Sequence, residues 1–77
     1  MLTDNELVSL AKKELKNSYS PYSGFKVAAA LITKNGNVYT GANIENSSYS
    51  ATVCAERVAL FKAISNGERG FEAIAIV

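Results

Sequence analysis

Histidine and tryptophan are absent from this 77-residue chain, and cysteine, proline and methionine occur once each. Without histidine there is no Ser-His-Asp or Cys-His nucleophilic machinery and no imidazole metal ligand. The single cysteine, Cys54, cannot close an internal disulfide. A chain this short buries only about 60% of its unfolded surface, so a disulfide, a metal or an oligomer usually supplements the core. With the disulfide excluded, a metal or an oligomer is left. Long apolar runs are missing too. The longest, "VAAALI" at residues 27–32, falls far short of the roughly 20 residues that span a bilayer. The start, "MLTDNELV", lacks the basic segment and apolar core of an export signal. Nor does one sign of charge dominate: 8 basic and 7 acidic residues leave a net charge of +1 with no basic stripe. A duplex nucleic acid therefore has no electrostatic footprint to bind. A free thiol without an export signal points to a reducing, cytoplasmic setting.

An apolar content of 48% places the chain among globular proteins rather than disordered ones. Thr3 and Glu6 have the spacing of a capping box, and Leu7, Leu10, Ala11 and Leu15 recur at helical spacing behind it. An amphipathic helix is expected over residues 4–17, with its lysines near the end that favours cations. "NSYSPYSG" carries Pro21 and reads as an ordered loop. "FKVAAALIT" reads as a strand opened by Phe25 and covered on both faces. Asn35-Gly36 is a strong hairpin signal, and "VYTGANI" is the returning strand. "ENSSYSAT" is polar and reads as a loop. From Val53 the period is helical again, with Val53, Ala55, Val58, Ala59, Phe61 and Ile64 on a broad apolar face, ended by Asn66-Gly67. "FEAIAIV" is a third strand, expected to run parallel to the second because a helical crossover joins them. The order is α-β-β-α-β, one α/β domain over residues 1–77. Such a strand is normally flanked on both sides, so the chain reads as the N-terminal part of a larger domain.

Two clusters carry chemistry. A cap at Thr52 or Ser50 would put Cys54 near the first turn of the second helix, where free N–H groups and the helix dipole favour a thiolate. Glu56 lies two residues on, about 200° around a regular helix. The two share a site only if Cys54 sits at the very start, pointing along the axis. Arg57 can add positive charge beside them. The plainer reading makes Cys54 a small buried hydrophobe and Glu56 a solvated position. In the second cluster, Asn43, Glu45 and Asn46 stand where a strand runs out towards a helix start, the place where open α/β sheets bind ligands. They can grip sugar hydroxyls, or merely bond a polar turn. Phe25 can stack on a flat ligand or pack in the core.

Three stretches, "SPYSGFKVAAAL", "GANIENSSYS" and "CAERVALFKAISNG", in this order and spacing, resemble the small homotetrameric cytidine deaminases over nearly the whole chain. The resemblance implies a three-layer αβα fold with a mixed sheet, of which this chain is the N-terminal part. It implies zinc-dependent hydrolysis of cytidine or deoxycytidine to the uridine product, as in pyrimidine salvage. It makes Cys54 a zinc ligand, and Glu56 the acid/base that moves a proton from the zinc-bound water to ring N3 and the departing amine. The backbone amide of Ala55 would hold the pyrimidine O2, and Phe25 would lie against the base. Asn43 and Glu45 would bond the ribose hydroxyls. Tyr49, with Ser47, would help complete a neighbouring subunit's site, and Arg57 would temper the charge of an all-thiolate centre. The second half of the signature, P-C-x-x-C, is absent: the only proline is Pro21 and there is no second cysteine. The resemblance places those cysteines shortly after Val77. A non-catalytic remnant held by oligomer contacts, a redox protein using Cys54, and an aminohydrolase acting on another cytosine compound are the alternatives.

Overall fold

The computed structural model describes residues 2–45 and 53–77. The first helix, α1 (Asp4–Glu14), is followed by a 3-10 turn at Leu15–Asn17. The expected helix over residues 4–17 therefore tightens in its last turn, as helix ends commonly do. The capping box forms: Thr3 N–H donates to Glu6 Oε1 at 2.9 Å and Glu6 N–H to Thr3 Oγ1 at 3.2 Å.

Strands β1 (Ala28–Thr33) and β2 (Val38–Ala42) form an antiparallel hairpin. Strand β1 is buried throughout, as its unbroken apolar run requires. It begins three residues later than expected; Phe25 lies in the preceding loop rather than opening the strand. The turn departs from the simplest Asn-Gly form. Gly36 has φ +86°, while no residue other than glycine has positive φ among those described. Gly36 N–H donates to Thr33 O at 3.0 Å, which makes a three-residue loop closed by a left-handed glycine.

Helix α2 (Ala55–Ser65) then leads to β3 (Phe71–Ile76). The strand order is β2-β1-β3, and both outer strands run antiparallel to β1. Strands β2 and β3 therefore share a direction, as a helical crossover demands, but β1 lies between them. Among the described residues the one parallel pairing is an isolated bridge, Tyr19–Ile44.

The two faces of β1 fix three layers. Leu7 and Ala11 of α1 pack with Ala30 and Ile32, while Ala55, Ala59 and Ala63 of α2 pack with Ala29 and Leu31 on the opposite face. This corrects the expected face of the second helix: its buried stripe is alanine at every fourth position, and Phe61 and Ile64 are exposed. Small residues let α2 approach the sheet closely. A Cβ at Gly41 would stand 2.6 Å from Ala55 O and 2.6 Å from Ala59 N. In β3 the register shifts between Ile32 and Thr33, so Glu72 is an extra residue. This bulge turns Phe71 onto the α2 face with Ile74 and Ile76.

Helix α2 ends in a Schellman motif. Gly67 has φ +90°, its N–H donates to Ile64 O at 2.9 Å, and Glu68 N–H donates to Ala63 O at 3.0 Å. The next side chain, Glu68, turns inward and is 6% exposed. Its carboxylate accepts from Asn35 Nδ2 at 3.2 Å, Asn37 Nδ2 at 2.7 Å and the Tyr39 hydroxyl at 3.1 Å. The hairpin is thereby tied to the end of α2. These bonds, that from Asn37 foremost, hold the Glu68 carboxyl below its ordinary value against the opposing effect of burial.

Candidate active site

The carboxyl end of β2 and the start of α2 meet through main-chain bonds. Ile44 N–H donates to Val53 O at 3.0 Å and Val53 N–H to Ile44 O at 2.8 Å. This bridge sets Cys54 beside the pair Asn43 and Glu45. Cys54 is itself the N-cap of α2, with extended backbone (φ −73°, ψ 151°) and no capping bond from its side chain. The caps expected at Thr52 or Ser50 lie outside the described residues, as do Asn46, Ser47 and Tyr49. The Cys54 thiol is exposed rather than buried, so it is not a small core residue. Its position answers the geometric condition posed by the sequence: Cys54 precedes the helix, and Glu56 belongs to the first turn.

A cavity of about 300 Å³ brings Asn43, Glu45, Cys54, Ala55 and Glu56 together, with Val27, Val53 and Ile76 as apolar wall. It lies at the carboxyl ends of β2 and β3, where a ligand is expected in an α/β sheet. Two sequence-selected residues stand apart. Phe25 does not line the cavity and is 72% exposed. Arg57 lines a neighbouring groove of about 280 Å³ between α2 and β3, together with Leu31, Glu56, Leu60, Phe71 and Ile74. Glu56 alone borders both.

Asn43 and Glu45 do more than face the cavity; they hold the loop before β1. Asn43 Oδ1 accepts from Val27 N–H at 3.0 Å and from the Ser18 hydroxyl, while Asn43 Nδ2 donates to Phe25 O at 2.8 Å. The side-chain amide thus bonds residues 25 and 27 as a neighbouring strand would. Glu45 Oε1 accepts from the N–H groups of Tyr22 and Ser23, each at 3.0 Å, and Oε2 accepts from the Ser23 hydroxyl. The Ser23 hydroxyl, then the Ser23 N–H, hold the Glu45 carboxyl below its ordinary value. Main-chain bonds join the same segments: Tyr19 N–H to Asn43 O at 2.9 Å and Glu45 N–H to Tyr19 O at 2.7 Å. Sequence reasoning missed Ser18 and Ser23. Their only signal is the serine-rich composition of "NSYSPYSG", which marks a turn without naming its partners.

The donor set decides what metal this chain can hold alone. A catalytic zinc takes three protein ligands plus water. The chain has one thiol and no imidazole, and the described residues contain no group of three potential ligands. These residues do not make a complete zinc centre; the one thiol that could serve it is that of Cys54.

The sequence profile for the "Cytidine and deoxycytidylate deaminase zinc-binding region" matches residues 1–77. The chain is 53% identical over 72 residues to a cytidine deaminase of Sporosarcina psychrophila, covering 94% of this chain and 53% of that protein. It is 55% identical over 71 residues to a cytidine deaminase of Halalkalibacterium halodurans, covering 92% of this chain and 54% of that one. The crystal structure of cytidine deaminase from Burkholderia pseudomallei superposes with a TM-score of 0.94 at 48% identity, over 97% of this chain and 61% of that one. The chain thus spans about half the length of the curated relatives it matches. Among the described residues no helix is long and apolar enough to cross a membrane.

Proposed function

We infer, since this chain belongs to the cytidine and deoxycytidylate deaminase family, that it supplies the nucleoside-holding part of a site for hydrolytic deamination of cytidine or deoxycytidine. The observation that carries this reading is the shared cavity of Asn43, Glu45, Cys54, Ala55 and Glu56. In the reaction, water adds to C4 of the cytosine ring, N3 gains a proton, and the C4–N bond breaks to release ammonia. Glu56 carries one proton from the attacking water to N3, and the second, from the C4 hydroxyl of the adduct, to the leaving amine as the C4 carbonyl forms. The Ala55 N–H, in the first turn of α2 where no intrahelical acceptor exists, is the donor for the pyrimidine O2. Cys54 would offer one thiolate to a zinc ion, for which this chain alone has no complete set of thiolate and imidazole ligands. Arg57 borders the neighbouring groove rather than the cavity, so its charge would temper that of the site only from a distance, and Tyr49 contributes to the site of an adjoining subunit in a homotetramer.

The remaining hydrogen-bonding capacity of the two ribose residues assigns their roles. Among the described residues, both lone pairs of Asn43 Oδ1 are taken by the loop and one N–H of Nδ2 has no partner. Among the same residues Glu45 accepts three bonds of about four that a carboxylate can take. Asn43 therefore donates to a ribose oxygen, and Glu45 accepts from a ribose hydroxyl. Phe25 is tied through its carbonyl to Asn43, which borders the cavity, and is the residue assigned to the face of the base. Exposed Tyr19, Tyr22 and Phe25 supply apolar surface for the oligomer, and the free thiol suits the cytoplasm.

The test is a nuclear magnetic resonance titration of this chain with cytidine and, separately, with cytosine. Tighter binding of cytidine, with shifts at the amides of Asn43, Glu45, Ala55 and Glu56, supports the reading. Equal affinity, or shifts elsewhere, contradicts it.

A further inference from the structure

The Ser23 hydroxyl stands between two residues that the proposed function assigns to the nucleoside. It donates to Glu45 Oε2 and accepts the Phe25 N–H at 3.0 Å. A hydroxyl has one proton to give. Since a carboxylate only accepts and an amide N–H only donates, the direction of both bonds is fixed. Gly24, at φ +69°, turns the chain between Ser23 and Phe25. Its N–H donates back to Ser20 O at 3.0 Å, so the two bonded groups are two residues apart on a closed turn.

We propose that Ser23 is a positioning residue, whose hydroxyl couples the Glu45 carboxylate to the Phe25 main chain and so sets the sugar-holding and base-facing groups as one unit. The proposal rests on the nucleoside roles of Glu45 and Phe25 given above. Its physical basis is the isolation of the loop. Residues 21 to 26 are all exposed, so little packing holds them. Three bonds to Glu45 and the Asn43 bond to Phe25 O hold this turn instead. Of these, only the Ser23 hydroxyl continues into a second bond that reaches Phe25 N–H. A carboxylate fixed in advance loses less side-chain freedom when a ribose arrives. Bonds in series also strengthen one another.

Two variants of this chain separate a coupling role from a merely structural one. Ser23→Ala removes the hydroxyl and leaves the N–H bonds to Glu45; Ser23→Thr restores it. The first readout is hydrogen exchange at the Phe25 amide without ligand, with the β1 amides as the check on folding. The second is the ratio of cytidine to cytosine affinity. Ser23→Ala is expected to speed Phe25 exchange about fivefold and lower the affinity ratio by a similar factor, the effect of about one net hydrogen bond. The β1 amides stay protected, and Ser23→Thr recovers both values. If Phe25 exchange and the affinity ratio are unchanged in Ser23→Ala while wild-type prefers cytidine, the role of Ser23 is refuted. If wild-type shows no preference for cytidine, the nucleoside reading of Glu45 fails, and this proposal fails with it.

Discussion

Asn43 holds the loop before β1 with three of its four hydrogen-bonding positions among the described residues, and it borders the cavity. Replacing Asn43 with Asp puts an acceptor against Phe25 O, where a donor belongs. The expected cost is about 1–3 kcal/mol of stability, read from urea unfolding, together with loss of preference for cytidine over cytosine. An isosteric carboxylate that kept full stability would show that the amide contacts carry no weight. Glu68 makes the complementary case of a group with no ligand role. Its carboxyl sits below its ordinary value of 4.5, chiefly through the Asn37 amide. The folded protein therefore binds this proton less readily than the unfolded chain does. The stabilisation is complete above 4.5 and fades as pH falls through the lowered folded value. Glu68→Gln should flatten the fall of the urea midpoint on acidification below 4.5; an unchanged slope would assign that fall to other carboxylates. Cys54, Glu56, Asn43 and Glu45 were singled out in the sequence through the resemblance to a family's motifs, and the structure brings the four to one cavity. Glu68 was not, since an exposed turn after Asn66-Gly67 looks the same in sequence whether or not two asparagines and a tyrosine wait across the hairpin.

Helix α2 delivers the Cys54–Ala55–Glu56 end only if it lies close on β2. The approach is closest at Gly41, where an added Cβ meets main-chain atoms of Ala55 and Ala59 and the Val58 Cβ at 2.9 Å. Neither main-chain atom can rotate away. Gly41→Ala should therefore cost about 1–3 kcal/mol in the unfolding midpoint and displace the α2 amides in an NMR spectrum. Retained stability with unmoved α2 resonances would mean the helix yields without consequence. The elements themselves were readable: capping box, hairpin glycine and helix-ending Asn-Gly all stand where the sequence put them. The faces were harder. Period alone assigned Phe61 and Ile64 to the packed side of α2, whereas the sheet selects the alanine row at Ala55, Ala59 and Ala63. The side that packs is the side that lets two backbones approach, which a hydrophobicity pattern does not measure. The bulge at Glu72 has no sequence signal at all, yet it decides which face Phe71 joins.

At the scale of the molecule, one thiol, one side-chain amide and two carboxylates, from Cys54, Asn43, Glu45 and Glu56, meet at a single cavity, in a chain that spans about half the length of the curated relatives it matches. Elemental analysis of the purified 77-residue chain should find well under one zinc per chain after dialysis, and Cys54→Ala should remove what zinc remains. One firmly held zinc per chain would show that copies of the chain pool their thiolates. The face of β3 towards α2 carries Ile74 at 44% and Ile76 at 53% exposure beside the groove that Glu56 borders. The resemblance made the family legible across nearly the whole chain; the count of ligands needed no structure, only the observation of one cysteine and no histidine.

The bridge between Ile44 and Val53 joins the two halves of the cavity with main-chain atoms alone. Peptide groups are common to every amino acid, so this fastening is blind to side-chain chemistry. Substitutions at either bonded residue that keep an extended backbone leave the spacing of Cys54 from Asn43 and Glu45 intact. Such a site can drift in preference, swapping the groups that meet a substrate, while its frame stays where it was. Proline is the exception: at position 44 or 53 it deletes a donor, and the two halves lose their common anchor.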